Sequence, residues 1–152
     1  MSDGRLRLTI GLLALAGVGI AGYLTWVHYA GDQPLCLASG GCEKVQSSEW
    51  AKLAGVPVAL IGLIGYLAIL AALAIPGEAG KLLVAGMSLI GFAFSAYLTY
   101  RELFTIEAIC QWCVASAVVM TVIAGLSVWR LLRIEPSEIV ASPAGDTGEA
   151  LP

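Results

Sequence analysis

Charges divide this chain into long apolar stretches. Residues 8–31, 53–77, 82–100 and 108–129 contain no Asp, Glu, Lys or Arg. An α-helix needs about 20 such residues to cross the ~30 Å hydrocarbon core of a bilayer. The pattern predicts four transmembrane helices near 8–29, 57–75, 82–101 and 109–132. A membrane barrel would need at least about eight strands of alternating polarity, and none are present. In lipid the backbone must then satisfy itself as helix. The expected fold is all-α integral membrane, a four-transmembrane-helix bundle over residues 1–133. The first outer loop, 30–56, contains "SSEWAKLAG". Ser47 is placed as an N-cap, Glu49 as a first-turn acid and Gly55 as a stop. This predicts a short interfacial helix with Trp50 at headgroup depth. Pro57 is placed to open the second span. Residues 134–152, rich in Pro, Ser, Gly and acid, are expected to form a disordered cytoplasmic tail.

Composition agrees with that class. The 152 residues are 59 % hydrophobic and 12 % charged, with a mean hydropathy of +0.87, against roughly 25 % charged in soluble domains. No basic patch points to nucleic acid. Four spans place both termini on one side, with Arg5, Arg7, Lys81, Arg130 and Arg133; the opposite side has Lys44, Lys52 and Arg101. That bias favours cytoplasmic termini in a multi-pass plasma (inner) membrane protein. The loops 30–56 and 102–108 then face the periplasm or cell exterior. The first apolar segment runs on to Ala30, longer than a signal-peptide core, so it is read as a retained span.

A repeat is visible at an offset of 74 residues. "GVGIAGYLTW" from Gly17 matches "GFAFSAYLTY" from Gly91, and the same offset carries Cys36 onto Cys110. The repeat predicts two related halves, with spans one and three packing through small residues. The sequence Gly17-Val18-Gly19-Ile20-Ala21-Gly22 also spells GxGxxG. Inside a lipid-spanning segment, with no preceding strand, it serves helix packing and not a nucleotide.

All four cysteines fall on the outer side, an oxidising compartment in bacteria. Cys110 and Cys113 are three apart at a helix start. There the two thiols share a face within disulfide range, and the helix N-terminus favours thiolate. This spacing suits a reversible dithiol. Cys36 and Cys42 are separated by five residues, and Gly40-Gly41 lets that loop bend back and close a disulfide. The spacing is poor for a zinc knuckle. Purely structural disulfides are the competing reading, in a non-catalytic four-span scaffold. His28, the only histidine, is placed at the outer end of span one as an interfacial anchor or a proton relay.

With these residues in place, residues 8 to 132 resemble the bacterial vitamin K epoxide reductase homologues. The carriers are Cys36 and Cys42, Ser48 six residues after Cys42, "GVPVALIGLIGY" from Gly55, and "CQWC" from Cys110 to Cys113. The resemblance implies a membrane thiol:quinone oxidoreductase that drives disulfide formation in secreted proteins. It implies a quinone cofactor, ubiquinone or menaquinone, held in a four-helix bundle. It implies Cys36, Cys42, Cys110, Cys113 and Ser48 as catalytic residues, with Cys113 and Ser48 nearest the quinone and no metal. Electrons would enter at Cys36 from a separate DsbA-like thioredoxin-fold protein. They would pass from Cys42 to Cys110 and leave from Cys113, the deepest, to the membrane quinone pool. Some relatives fuse the thioredoxin-like domain after the last helix, whereas this chain ends about 20 residues past Arg133. Animal members have a tyrosine where this chain has Ala117, so quinone reduction is expected in preference to epoxide reduction. Helix faces carrying Ile61, Tyr66 and Phe92 are candidate quinone contacts.

Overall fold

The computed structural model describes residues 2–37 and 41–133. The tail expected at 134–152 lies outside the described residues. Helix α1 (Asp3–Ala30) ends at Gly31, whose φ of 71° and N–H bond to the Val27 carbonyl close the last turn. Only glycine takes that left-handed position at no steric cost. Helix α2 (Gly41–Gln46) and a two-stranded hairpin, β1 (Lys52–Leu53) and β2 (Val56–Pro57), fill the first loop. Helices α3 (Val58–Ala74), α4 (Gly77–Arg101) and α5 (Gln111–Leu132) follow. α1, α5 and α4 with its terminal turn are long and apolar enough to cross a membrane, while α3 is apolar but has only 17 residues.

The four long helices form a ring in the order α1, α3, α4, α5, each packed on its two neighbours. α1 and α4 therefore lie across the diagonal, and the expected packing of spans one and three through small residues is corrected. The small residues instead serve each helical hairpin internally. A Cβ at Gly17 would fall 2.3 Å from the Tyr66 ring of α3, and one at the repeat-related Gly91 would fall 2.8 Å from the Met120 sulfur of α5. Each glycine admits a large side chain from the helix that follows its own. The reason is geometric: the short connection from α3 to α4 makes neighbours of them and leaves α1 and α4 opposite.

The core is centred on Ile10, Ala14, Tyr66, Ile69 and Ile123. At the end holding the N-terminus, Arg130 grips Asp3 with two bonds of 2.6 and 2.9 Å. Arg7 donates to the Leu73 carbonyl at 2.6 Å and satisfies one of the carbonyls left open at the end of α3. These contacts tie the first turns of α1 to the last turns of α5 and α3. They leave the opposite end to the loops.

The loop helix is displaced from its expected place. Ser47 ends α2, with its N–H on the Glu43 carbonyl, and does not begin a helix. Glu49–Ala51 is a single 3₁₀ turn. Lys52 to Pro57 pair antiparallel, Leu53 opposite Val56, around Ala54-Gly55, both with positive φ. This is the two-residue hairpin geometry that matches strand twist. Tertiary packing decides the shift: α2 buries Cys42 and Val45 against the start of α5, whereas the 3₁₀ turn buries no residue. Pro57 stands just before α3, not within it. The second loop is also shorter than expected. α4 continues into one π-helical turn, Glu102–Ile106, which buries Glu102 and Ile106.

Candidate functional site

The cysteines gather at the loop end of the bundle. Cys36 and Cys42 are joined as a disulfide, with Cα atoms 6.3 Å apart. Cys42 is 1 % exposed and Cys110 is fully buried; they share a cluster with Val45 and Ile106, against which Cys36 and Cys113 pack. Cys110 and Cys113 are free thiols. Gly41 explains how α2 comes so close. A Cβ there would lie within 2.4 Å of the Ile109 carbonyl oxygen. Any side chain at this position would push Cys42 away from Cys110.

The two middle residues of "CQWC" hold the loop pair in place. The Trp112 indole N–H donates to the Leu35 carbonyl at 2.8 Å, and the Leu37 N–H donates to the Gln111 side-chain oxygen at 3.2 Å. Tyr23 completes the clasp. Its ring lies 5.1 Å from that of Trp112, and its hydroxyl accepts from the Leu35 N–H at 3.0 Å. Both neighbours of Cys36 are thus bonded to the segment carrying the second pair. Removing the indole donor by Trp112→Phe keeps the ring and loses one anchor. The Cys36–Cys42 disulfide is expected to be reduced several-fold faster by a water-soluble thiol in this variant, as read by quenched alkylation. An unchanged rate would show that the clasp does not govern access.

Cys110 stands immediately before α5, as its N-cap. A hydrogen bond from the Cys113 thiol holds Cys110 below the ordinary thiol range, against the opposing effect of burial. The adjoining backbone N–H groups of the helix start act in the same direction. Cys113 is one turn along. The Gln46 side-chain amide donates toward its sulfur at 3.9 Å, a distance acceptable for sulfur.

Cys113 also forms part of a cavity wall. The cavity is partly open to the outside, and its wall is mainly apolar. Ligand sites are commonly apolar with a few placed polar groups. All four bundle helices contribute, through residues such as Leu24, Gly62, Phe94 and Ala117, and the loop closes the end with Gln46, Ser48 and Trp50. Arg101 lies over the Trp50 ring at 4.0 Å and fastens this cap to α4.

Ser48 is on the wall, as is Cys113. Its hydroxyl donates to the Val45 carbonyl at 2.7 Å, so it closes α2 and does not cap the turn after it. Its oxygen retains lone pairs for a ligand donor. Cys113 is not the more enclosed of its pair, since Cys110 is the buried one; Cys113 is the one that faces the cavity. The expected contacts Ile61, Tyr66 and Phe92 are not wall residues. Tyr66 instead bonds the Ser116 carbonyl at 2.8 Å from behind the wall, and Ser116 lines it. His28 packs edge-on to Tyr29 and takes no part in the wall.

Four participants were not legible as such in the sequence. Gln46 reaches Cys113 only because α2 ends there. Gln111 and Trp112 look like filler between cysteines. Glu102 looks like a loop charge, yet it is 5 % exposed and its carboxylate accepts from the Cys110 N–H at 3.2 Å. The available signal for Glu102 was its place in "YRELF", the charged step between a span and the CxxC pair.

The model of the Vitamin K epoxide reductase family matches residues 8–128 of the chain.

Proposed function

Because the chain belongs to the vitamin K epoxide reductase family, and so is a multi-pass membrane redox protein, we propose that it is a thiol:quinone oxidoreductase that makes disulfides for secreted proteins. One observation carries the reading: Cys110 is packed with the loop disulfide while Cys113, one turn on, faces an apolar cavity. A single dithiol thus meets both a protein disulfide and a lipid-soluble ligand.

The entry point is Cys36. It is half-buried while Cys42 is enclosed, and it stands between Leu35 and Leu37, 78 % and 96 % exposed. That apolar rim suits the docking of a separate thioredoxin-fold protein on the outer face. A partner thiolate attacks Cys36, the Cys36–Cys42 bond breaks, and Cys42 is released as a thiol. Cys42 then attacks Cys110 of the oxidised second pair, and Cys113 leaves. The partner's second thiol resolves its bond to Cys36 and departs oxidised. Cys36 next attacks Cys42, which re-forms the loop disulfide and expels Cys110. A sulfur held as thiolate leaves faster, so the lowered position of Cys110 favours this last exchange.

The apolar wall, with Ser48 and Ser116 on it, suits a quinone ring. When bound there, a quinone supplies a two-electron acceptor that exchanges with the membrane pool. A strongly oxidising thioredoxin-fold protein, near −120 mV for DsbA, needs an acceptor of that kind. The chain's part is to hold Cys113 at the wall, to offer the Ser48 oxygen as an acceptor for a quinol hydroxyl and to cover the end with the Trp50–Arg101 cap. Ala117 leaves open the wall position where animal members carry tyrosine, which favours quinone over epoxide as the substrate.

The test is turnover by purified protein given a reduced thioredoxin-fold oxidant and either ubiquinone or menaquinone. Loss of quinone absorbance matched by oxidised partner is the expected result. No turnover with either quinone and several such partners would return the chain to a scaffold with a structural disulfide.

A further inference from the structure

The route of the protons is not accounted for by the four cysteines. Oxidation of Cys110 and Cys113 breaks two S–H bonds and forms one S–S bond. It releases two electrons and two protons, and quinol formation consumes both. The wall is mainly apolar, so the protons need a route through one of its few polar groups.

Glu102 occupies that place. It lies in the π-helical turn after α4, 5 % exposed, and belongs to the same wall as Cys113. Its carboxylate accepts from the Cys110 N–H at 3.2 Å, and Cys113, one turn along, lines the same wall. That partner is not a cation. The only nearby positive charge on its own element, Arg101, is turned to Trp50 and Tyr97, with its Nε bonded to the Tyr97 hydroxyl at 3.1 Å. From α2, the group facing Cys113 is the neutral amide of Gln46. Burying a carboxyl without a cation is costly. A bond to one backbone N–H does not require an acid, since a glutamine oxygen at the same place accepts it equally. Glu102 continues α4 with helical φ and ψ and its N–H on the Leu98 carbonyl, so the helix itself sets the direction of its side chain.

We propose that Glu102 is a catalytic acid–base residue that carries protons from the Cys110–Cys113 dithiol to the quinone bound in the cavity. As the acid it donates to a quinone oxygen. As the carboxylate it takes the proton of Cys113, and in a second cycle that of Cys110. Two protons and two electrons leave the dithiol and the same numbers arrive on the quinol, so Glu102 ends each turnover unchanged. The assignment rests on the thiol:quinone reading above.

Two measurements on Glu102→Gln test it. In turnover, kcat is expected to fall about 10²–10⁴-fold, the usual contribution of a positioned acid–base group. Glu102→Asp should restore part of the rate. The second measurement needs no quinone. With Cys113 as the only cysteine, its rate of alkylation is followed against pH, and removal of the carboxyl should move the midpoint by at least one pH unit. Retention of the Cys36–Cys42 disulfide and of the thermal midpoint in Glu102→Gln would show that the cap on Cys110 survives. If Glu102→Gln does not fold, the same two measurements on Glu102→Asp decide, with a fall in kcat and a shifted midpoint expected. Wild-type turnover with an equally fast, equally pH-dependent variant would overturn the proposal alone. Absence of wild-type turnover, with an unshifted alkylation profile, would remove both it and the reading it rests on.

Discussion

Replacing Cys113 by Ala is expected to lower quinone reduction by on the order of 10³-fold or more, the scale seen when a covalent participant is removed. The Cys36–Cys42 disulfide remains closed, since nothing that holds it depends on the Cys113 side chain. The Leu35 and Leu37 contacts come from Gln111, Trp112 and Tyr23. Without Cys113, Cys110 has no intramolecular partner to oxidise it. The Cys42–Cys110 disulfide of the relay does not form either, because Cys110 begins as a thiol. Electrons therefore stop in the loop pair. The counterpart Cys110→Ala leaves the cavity-facing thiol in place and cuts its link to the loop. Both variants should be inactive, but only Cys110→Ala should retain a thiol that a quinone-like alkylating reagent reaches through the cavity. Rapid labelling of Cys110, and not Cys113, by that reagent would reverse the order of the relay.

Cys42→Ser is expected to abolish turnover to a similar degree and to capture the partner. In this variant Cys36 is a half-buried thiol between two exposed leucines, and no sulfur remains to displace what it binds. A thioredoxin-fold protein reduced to its attacking cysteine, and activated as a mixed disulfide with a small thiol, should transfer to Cys36 and release that small thiol. The adduct should be a major product in Cys42→Ser and absent in Cys36→Ser. The asymmetry follows from burial: Cys42 packs under α2 against Ile106 and Cys110, where a folded protein cannot reach it. Equal capture by Cys36→Ser, through Cys42, would mean that α2 swings out before the partner arrives, and the fixed-entry scheme would fail.

The capture experiment depends on the clasp around Leu35 and Leu37, and the chain encodes that clasp in residues that carry no chemical signal of their own. Trp112 reads as filler between two cysteines, Tyr23 as part of a repeat. Only the return of the loop over the start of α5 turns them into donors and acceptors for the residues beside Cys36. Ser48 shows the same dependence. Its position after Cys42 marks it as a site residue by resemblance, but its bond to Val45 and its place on the cavity wall follow from where α2 ends.

What the sequence determined by itself is the class of the protein and its chemistry. Apolar stretches of about 20 residues leave the backbone no solution in lipid except helix. Two cysteine pairs beside their ends admit few uses. Those properties are local, so they are legible one segment at a time. The tertiary structure alone decided the ring order that separates α1 from α4, the hairpin at Ala54-Gly55 in place of a helix, and the inward turn of Glu102. Each arises between segments distant in sequence. The short α3–α4 connection sets which helices are neighbours. The burial of Cys42 and Val45 draws the loop helix to Gly41–Gln46. The helical continuation of α4 through Glu102 makes an apparent loop charge a buried acid on the Cys110 N–H.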